Sequence, residues 1–189
     1  MDVPSFYAKD RGAWRAWLAD NHDRQQAVWL VFDKGKNRRL SYDDIVEEAL
    51  CFGWVDSKPG KVSETQSKLY LSKRKPKSAW SKSNKERIER LTKANLMAPQ
   101  GLVAVKVAKQ NGSWEALNQS DSFVMPPELL TQLAANPKAQ QFYEALSNSS
   151  KRIILEWIYS AKKEETKLVR VNETVELAAK GIKAHHYRQ

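Results

Sequence analysis

The spacing of apolar positions changes several times along the chain, and each change marks an element. Trp14, Trp17 and Leu18 recur at i, i+3 and i+4, which predicts a helix over Arg11–Asn21. Residues 27–32 (A-V-W-L-V-F) form an unbroken β-branched and aromatic run whose length and composition predict a buried strand. Residues 34–39 are a basic turn carrying Gly35 and Asn37. The next segment, 41–52, is the clearest helix. Ser41 and Asp44 have capping-box spacing, Asp43 and Asp44 sit where the helix dipole favours negative charge, and Ile45, Ala49 and Phe52 share one face up to Gly53. Val55 and residues 69–71 flank Pro59-Gly60, which predicts a hairpin or two strands with the turn at Pro59-Gly60.

Helical spacing then takes over. Ser81 can cap a helix from Lys82 to about Leu96 with Ile88 and Leu91 facing inward, and Pro99 and Gly101 read as its breakers. Residues 102–109 predict a short helix ending at Asn111-Gly112, with Trp114 and Leu117 as packing residues, and 121–126 read as a linker. Beyond it the pattern is wholly helical. Pro127 opens a stripe of Leu129, Leu130 and Leu133, and Ala139, Phe142 and Leu146 form a second. Ser147 caps a third helix carrying Ile153, Ile154, Trp157 and Ile158, all read as core, and Val171, Val175 and Ala178 lie on a fourth that ends at Gly181. The expected fold is α+β: a small, mostly antiparallel sheet packed by helices over residues 1–120, then an all-helical region over 126–184.

Composition narrows the functional classes. The chain has 189 residues, 41% of them hydrophobic, enough for one buried core or one core with a helical appendage. No run approaches the roughly 18 apolar residues of a membrane span, the N-terminus has no signal-like apolar region, and mean hydropathy is -0.66, so a cytoplasmic location without membrane insertion is expected. Cys51 is the single cysteine, set among Ala49, Leu50 and Phe52, and is read as a small buried hydrophobe. A net charge of +10 points toward anionic partners such as nucleic acid, anionic lipid or acidic protein.

Nucleotide-loop, zinc-protease, C-x-x-C and nucleophile-elbow motifs are all absent, and no catalytic residue, metal or cofactor is expected. The acids Asp43, Asp44, Glu47 and Glu48 read as a solvated helix face. His185-His186 reads as a surface tail. The informative stretch is 48–84, where an apolar helix end, Gly53-Trp54-Val55-Asp56 and a dense basic segment lie close together. That basic segment holds Lys73, Arg74, Lys75, Lys77, Lys82, Lys85, Arg87 and Arg90, with Tyr70 and Trp80 interleaved. The candidate site is a groove between the Gly53–Asp56 turn and residues 74–84. Arg74 and Lys75 would hold an anion, Trp54 and Trp80 would form walls, Asp56 would orient Arg74, and Ser81 and Asn84 would donate hydrogen bonds. Two alternatives stand beside it: nucleic-acid binding through the 74–90 segment, and an enzyme using Asp56 with Arg74.

Several stretches resemble one family. W-L-A-D-N-H, S-Y-D-D-I-V-E-E-A-L-C-F-G-W-V-D-S, R-K-P-K-S-A-W-S-K-S-N-K-E-R, M-A-P-Q-G, N-G-S-W and A-K-K-E-E-T-K follow one another in the order of the YdeI/OmpD-associated, or bacteriocin-protection, proteins. The resemblance implies an α+β N-terminal region, a helical C-terminal region, and links to tolerance of bacteriocins and cationic antimicrobial peptides and to an outer-membrane porin. It brings no reaction. Lys73 stands where relatives usually carry a proline. A cationic peptide is a poor direct ligand for a chain of net charge +10. The expected function is therefore a non-enzymatic binding or stress-tolerance protein with an unknown anionic ligand or protein partner.

Overall fold

A computed structural model describes residues 3–185, which divide into two compact units between Glu115 and Ala116. The first unit is α+β. Its order is β1 (Ser5–Tyr7), α1 (Arg11–Asn21), β2 (Ala27–Asp33), α2 (Tyr42–Cys51), β3 (Trp54–Lys61), β4 (Gln66–Lys73), α3 (Lys82–Lys93) and α4 (Pro99–Gln110). The sheet runs β1-β2-β4-β3, with β1 parallel to β2 and the other pairs antiparallel. Val28, Leu30, Leu69 and Leu71 are buried, and with Trp14, Leu18, Ile45, Ala49 and Trp80 they belong to one core. The second unit is all helix: α5 (Asn118–Asp121), α6 (Pro127–Ala134), α7 (Pro137–Ala145), α8 (Asn148–Tyr159) and α9 (Glu164–Ala179), built around Leu129, Tyr143, Ile154, Ile158 and Val171.

Local chemistry accounts for most boundaries. The Ser41 box is complete, since Asp44 N donates to Ser41 Oγ at 3.0 Å and Ser41 N donates to Asp44 Oδ2 at 3.0 Å. Gly53 follows α2 at φ +74°, the left-handed conformation that ends a helix cheaply only at glycine. Ser81 caps α3 and Ser147 caps α8 through their hydroxyls.

Several segments depart from what the pattern predicts. Pro59-Gly60 is no hairpin turn. It lies inside β3 at a register shift between Asp56 and Pro59, and the chain reverses at 62–65 instead. β3 is an edge strand, where a proline lacking an N–H is tolerated. Pro99 and Gly101 do not break a helix; Pro99 opens α4 at its first turn and Gly101 lies within it. Residues 121–126 are no loose linker. Val124 O accepts from the Tyr159 hydroxyl at 2.9 Å, and Met125 packs on the second core. Trp157 is only partly buried. His185 stacks on it at 5.0 Å and the Arg170 guanidinium lies 5.2 Å from its centre, so His185 is not a loose tail; His186 lies outside the described residues.

The acidic face of α2 is also not a solvated face. Glu48 is 2% exposed and takes Arg11 Nε on one oxygen and Arg15 Nη1 on the other, each at 2.6 Å. Arg11 further reaches Asp44 at 2.9 Å and Glu47 at 3.1 Å. From the other side Arg87 pairs with Asp43 and Arg90 with Glu47. The helix therefore spends its carboxylates on arginines of α1 and α3, which ties three helices into one layer.

At the end of α2 a closer contact fixes α4. Ala98 N donates to Cys51 O at 3.1 Å, and a methyl group on Gly101 would stand on the same carbonyl, 2.7 Å from its carbon and 2.8 Å from Met97 Cε. Only glycine lets the two backbones meet there. Gly101→Ala is expected to lower the unfolding free energy of the first unit by about 1–3 kcal/mol, as overpacking does, read by urea denaturation. Glu48→Ala is expected to cost about 1–3 kcal/mol in the same assay, less than a fully buried pair because both arginine side chains are 37% exposed.

Candidate functional site

Where β4 ends beside the α2–β3 turn, the first unit forms a half-open cavity of about 280 Å³. Three segments build it. The α2–β3 turn contributes Phe52, Gly53 and Trp54; the strand end contributes Lys73, Arg74 and Lys75; α4 contributes Gln100, Val103, Ala104 and Val107. Pro76, Trp80, His22 and Asp23 complete the lining. The turn and the strand end are held together by the backbone, since Arg74 N donates to Gly53 O at 2.9 Å. The Gly101 contact brings α4 so close that a methyl group on Gly53 would lie 3.3 Å from both Gln100 O and Ala104 Cβ.

Arg74 dominates the polar chemistry. Its guanidinium lies 3.7 Å from the centre of the Trp80 ring, and Nη2 donates to Ala79 O. Nε and Nη1 are buried and have no hydrogen-bond partner among the described residues. Burial pulls the group's pKa down to about 10, against the opposing field of Asp56, so it remains a cation at neutral pH. Trp54 Nε1 is a third buried donor without a partner among the described residues. At the rim, His22 Nδ1 faces Leu18 O at 2.9 Å and Ala19 O at 3.3 Å, which puts its hydrogen on that nitrogen. Nε2 lies 3.2 Å from Asp23 Oδ1. Lys73 Nζ donates to Asp23 O at 2.9 Å. Chemically, a guanidinium with two unpartnered donors beside largely apolar walls suits an acceptor of negative charge.

Of the residues read from the sequence, Trp54, Arg74, Lys75 and Trp80 come together in this lining. Asp56 does not join them. It accepts from the Tyr42 hydroxyl at 2.7 Å and lines a different cavity with Phe32, Tyr42 and Pro59. It thus makes no hydrogen bond to Arg74, and the pairing of the two in one pocket, which the enzymatic reading needs, is not formed. Ser81 and Asn84 are also elsewhere. Ser81 Oγ accepts from Asn84 N at 3.4 Å as the cap of α3, and Asn84 Oδ1 accepts from Arg87 at 3.4 Å. The sequence reading missed His22, Gln100 and the apolar wall of α4. Its one signal was Pro99 followed two residues later by a glycine inside a helical stripe.

The basic segment is also smaller than its composition suggests. Arg87 and Arg90 are committed to α2, Arg74 is half-buried with two of its nitrogens covered, and Lys73 is held by a backbone carbonyl. Cys51 is fully buried, and burial, with the Glu48 charge, pushes its thiol up to about 11, away from nucleophilic use. No group of three metal-ligating side chains occurs among the described residues, and no helix among them is long and apolar enough to cross a membrane.

Two family models match the chain. Residues 6–104, just over half of it, match one described as a domain of unknown function (DUF8412), and residues 122–181 match one described as bacteriocin-protection, YdeI or OmpD-associated. The chain therefore belongs to the first of these families through its α+β unit, and its helical unit carries the match to the bacteriocin-protection, YdeI or OmpD-associated model. That family model covers part of the chain only. Of the resembling stretches, A-K-K-E-E-T-K falls inside it, while the cavity-forming turn and basic segment lie under the uncharacterised model. Neither a curated protein nor a solved structure matches the chain.

The Tyr42 phenol offers a check on the Asp56 geometry. Burial and then the hydrogen bond to Asp56 push it up to about 12. The folded state thus holds a proton that the unfolded chain loses near pH 10, so this group's contribution is intact below pH 10 and is lost between 10 and 12. Asp56→Asn is expected to move the Tyr42 titration downward, read by phenolate absorbance against a Tyr42→Phe reference.

Proposed function

We propose that the protein is a cytoplasmic, non-enzymatic binding protein whose α+β unit holds a small anionic ligand on Arg74. The observation that carries this reading is a half-buried guanidinium, two of whose donors are covered and lack acceptors. An uncompensated buried cation costs several kcal/mol, and proteins ordinarily remove that cost with a partner. Here the described residues supply none for Nε and Nη1, while a cavity lies beside them. Trp80 covers the cation from one face and holds it in place rather than neutralising it. Tolerance of bacteriocins, the property attached to the family of the helical unit, would then follow indirectly from ligand binding, since a chain of net charge +10 repels a cationic peptide. Nucleic-acid binding is the weaker reading, because the arginines that would track a backbone are paired with α2.

This reading separates function from stability. Arg74→Met removes a charge but keeps an apolar stem of similar length. The ligand-free variant is expected to be as stable as the wild type, or more stable by about 1–2 kcal/mol, because an unpaired buried charge is lost. The same variant is expected to lose the thermal stabilisation that small oxyanions confer on the wild type, which reaches about 2.7 kcal/mol at a hundredfold excess over Kd. Thermal-shift titration with sulfate, phosphate and acetate checks both. Wild-type stability that responds to none of these anions would overturn the proposal.

A further inference from the structure

We infer that the face of the sheet turned away from the helices binds single-stranded nucleic acid, with bases stacking on Tyr7, Trp29 and Tyr70 and phosphates meeting the basic groups beside them. This activity is independent of the Arg74 cavity. Side chains alternate across a strand, so Val28, Leu30, Leu69 and Leu71 point into the core and their neighbours point the other way. That other face carries Tyr7 from β1, Trp29 and Asp33 from β2, and Lys68 and Tyr70 from β4. None of these five residues is buried.

Three aromatic rings on three neighbouring strands make a platform. Trp29 and Tyr70 stand directly opposite each other in the register and meet edge to face at 5.1 Å. Tyr7 lies one strand further across, opposite Val31, and is 46% exposed. Its hydroxyl donates to Asp33 Oδ2 at 2.7 Å, and Gln66 Nε2 donates to Asp33 Oδ1 at 3.1 Å, so the exposed ring is held in place. Cross-strand packing accounts for Trp29 beside Tyr70. It leaves Tyr7, outside that pair, with a fixed ring face in water, which is what a base stacks on.

The charge on this face complements a phosphate backbone. Lys68 Nζ lies 4.4 Å from the centre of the Trp29 ring, on a stem that crosses Gly60, where a methyl group would come within 3.0 Å of Lys68 Cε. Beside Tyr7, the side chains of Lys9, Lys36 and Arg39 line a half-open hollow of about 310 Å³ with Asp33. None of these three cations makes a hydrogen bond or ion pair among the described residues. Three such cations against one carboxylate leave the hollow basic. Arg87 and Arg90, by contrast, are paired with α2, and the sheet face uses neither. An acidic peptide would engage the cations and leave the rings idle. A duplex keeps its base faces stacked inside. Unpaired bases on a charged backbone use both features.

The experiment follows the fluorescence anisotropy of labelled short oligouridine and oligothymidine with the full chain across a salt series, beside a DNA duplex, an abasic oligomer and polyglutamate of matching length. Both single strands are expected to bind at low salt and to weaken as salt rises. Tyr7→Leu and Trp29→Leu are each expected to weaken them by about fivefold or more, the lower end of what one stacked base contributes. Thermal unfolding is run on each variant, and should Trp29→Leu fail to fold, the exposed Tyr7 carries the same test. Lys36→Gln combined with Arg39→Gln is expected to reduce the salt slope by about 1.4, the share of two single-strand phosphate contacts. Lys77→Gln combined with Lys82→Gln, in the 74–90 segment, is expected to leave affinity unchanged. Single strands that do not bind at low salt would overturn the inference. So would the duplex, the abasic oligomer or polyglutamate binding as tightly as the single strands, since charge without stacking would then suffice. Binding that ignores Tyr7→Leu, or that falls as much with Lys77 and Lys82 as with Lys36 and Arg39, would place the contact elsewhere and overturn it too. The Arg74 reading stands or falls separately, on small anions and Arg74→Met.

Discussion

The last carbonyl of α2 is the constraint around which the first unit is organised. Cys51 O accepts from Ala98 N, and the Gly101 backbone closes against it where no side chain fits. That contact sets the position of α4. Two residues further on, Gly53 turns into the left-handed region and releases the chain into β3. Its carbonyl then takes the Arg74 amide from the end of β4. A helix end, a strand end and a second helix are thus fixed to one another within a few residues, and the cavity is the space they leave. The W-V-D and M-A-P-Q-G pieces occur together because each supplies one side of this junction.

Charge is distributed around the same junction in two ways. On the face of α2 the acids and arginines neutralise one another: Glu48 is closed between Arg11 and Arg15, and Asp43 and Glu47 hold Arg87 and Arg90. These pairs fix helices and leave those arginines little to offer a ligand. Beside the cavity the balance is deliberately incomplete in physical terms: Arg74 is desolvated, pressed on Trp80, and short of acceptors. Both arrangements come from the same basic composition. The difference is whether a carboxylate lies across from the guanidinium, and Asp56, the nearest acid in sequence, is engaged by Tyr42.

Much of the fold was legible in the pattern. Helices with a single apolar stripe and a capping serine appear where spacing places them, and Gly53 ends α2 as its position suggests. What escaped had no local signature. A three-residue strand such as β1 is too short to show a period, and Pro59-Gly60 has turn chemistry whether or not the chain turns there. Gly101 looks like a breaker because helix propensity penalises glycine, while its use lies in a backbone contact fifty residues away.

The candidate site divides along the same line. The sequence alone determined that an aromatic turn and a basic, tryptophan-bearing segment lie within thirty residues of each other, and that no known catalytic or metal motif accompanies them. Capping, glycine conformations and stripe periodicity depend on neighbours within about four residues, so they can be read in one dimension. Only the tertiary structure decided which charges are spent. Whether Arg74 or Arg87 keeps unpaired donors depends on which residues, tens of positions apart, are brought against each. The tertiary structure also decided that α4, which nothing in the local sequence ties to the site, forms its apolar wall. Burial and pairing are properties of that three-dimensional surround, and they turn a run of basic residues into one cation with a cavity beside it.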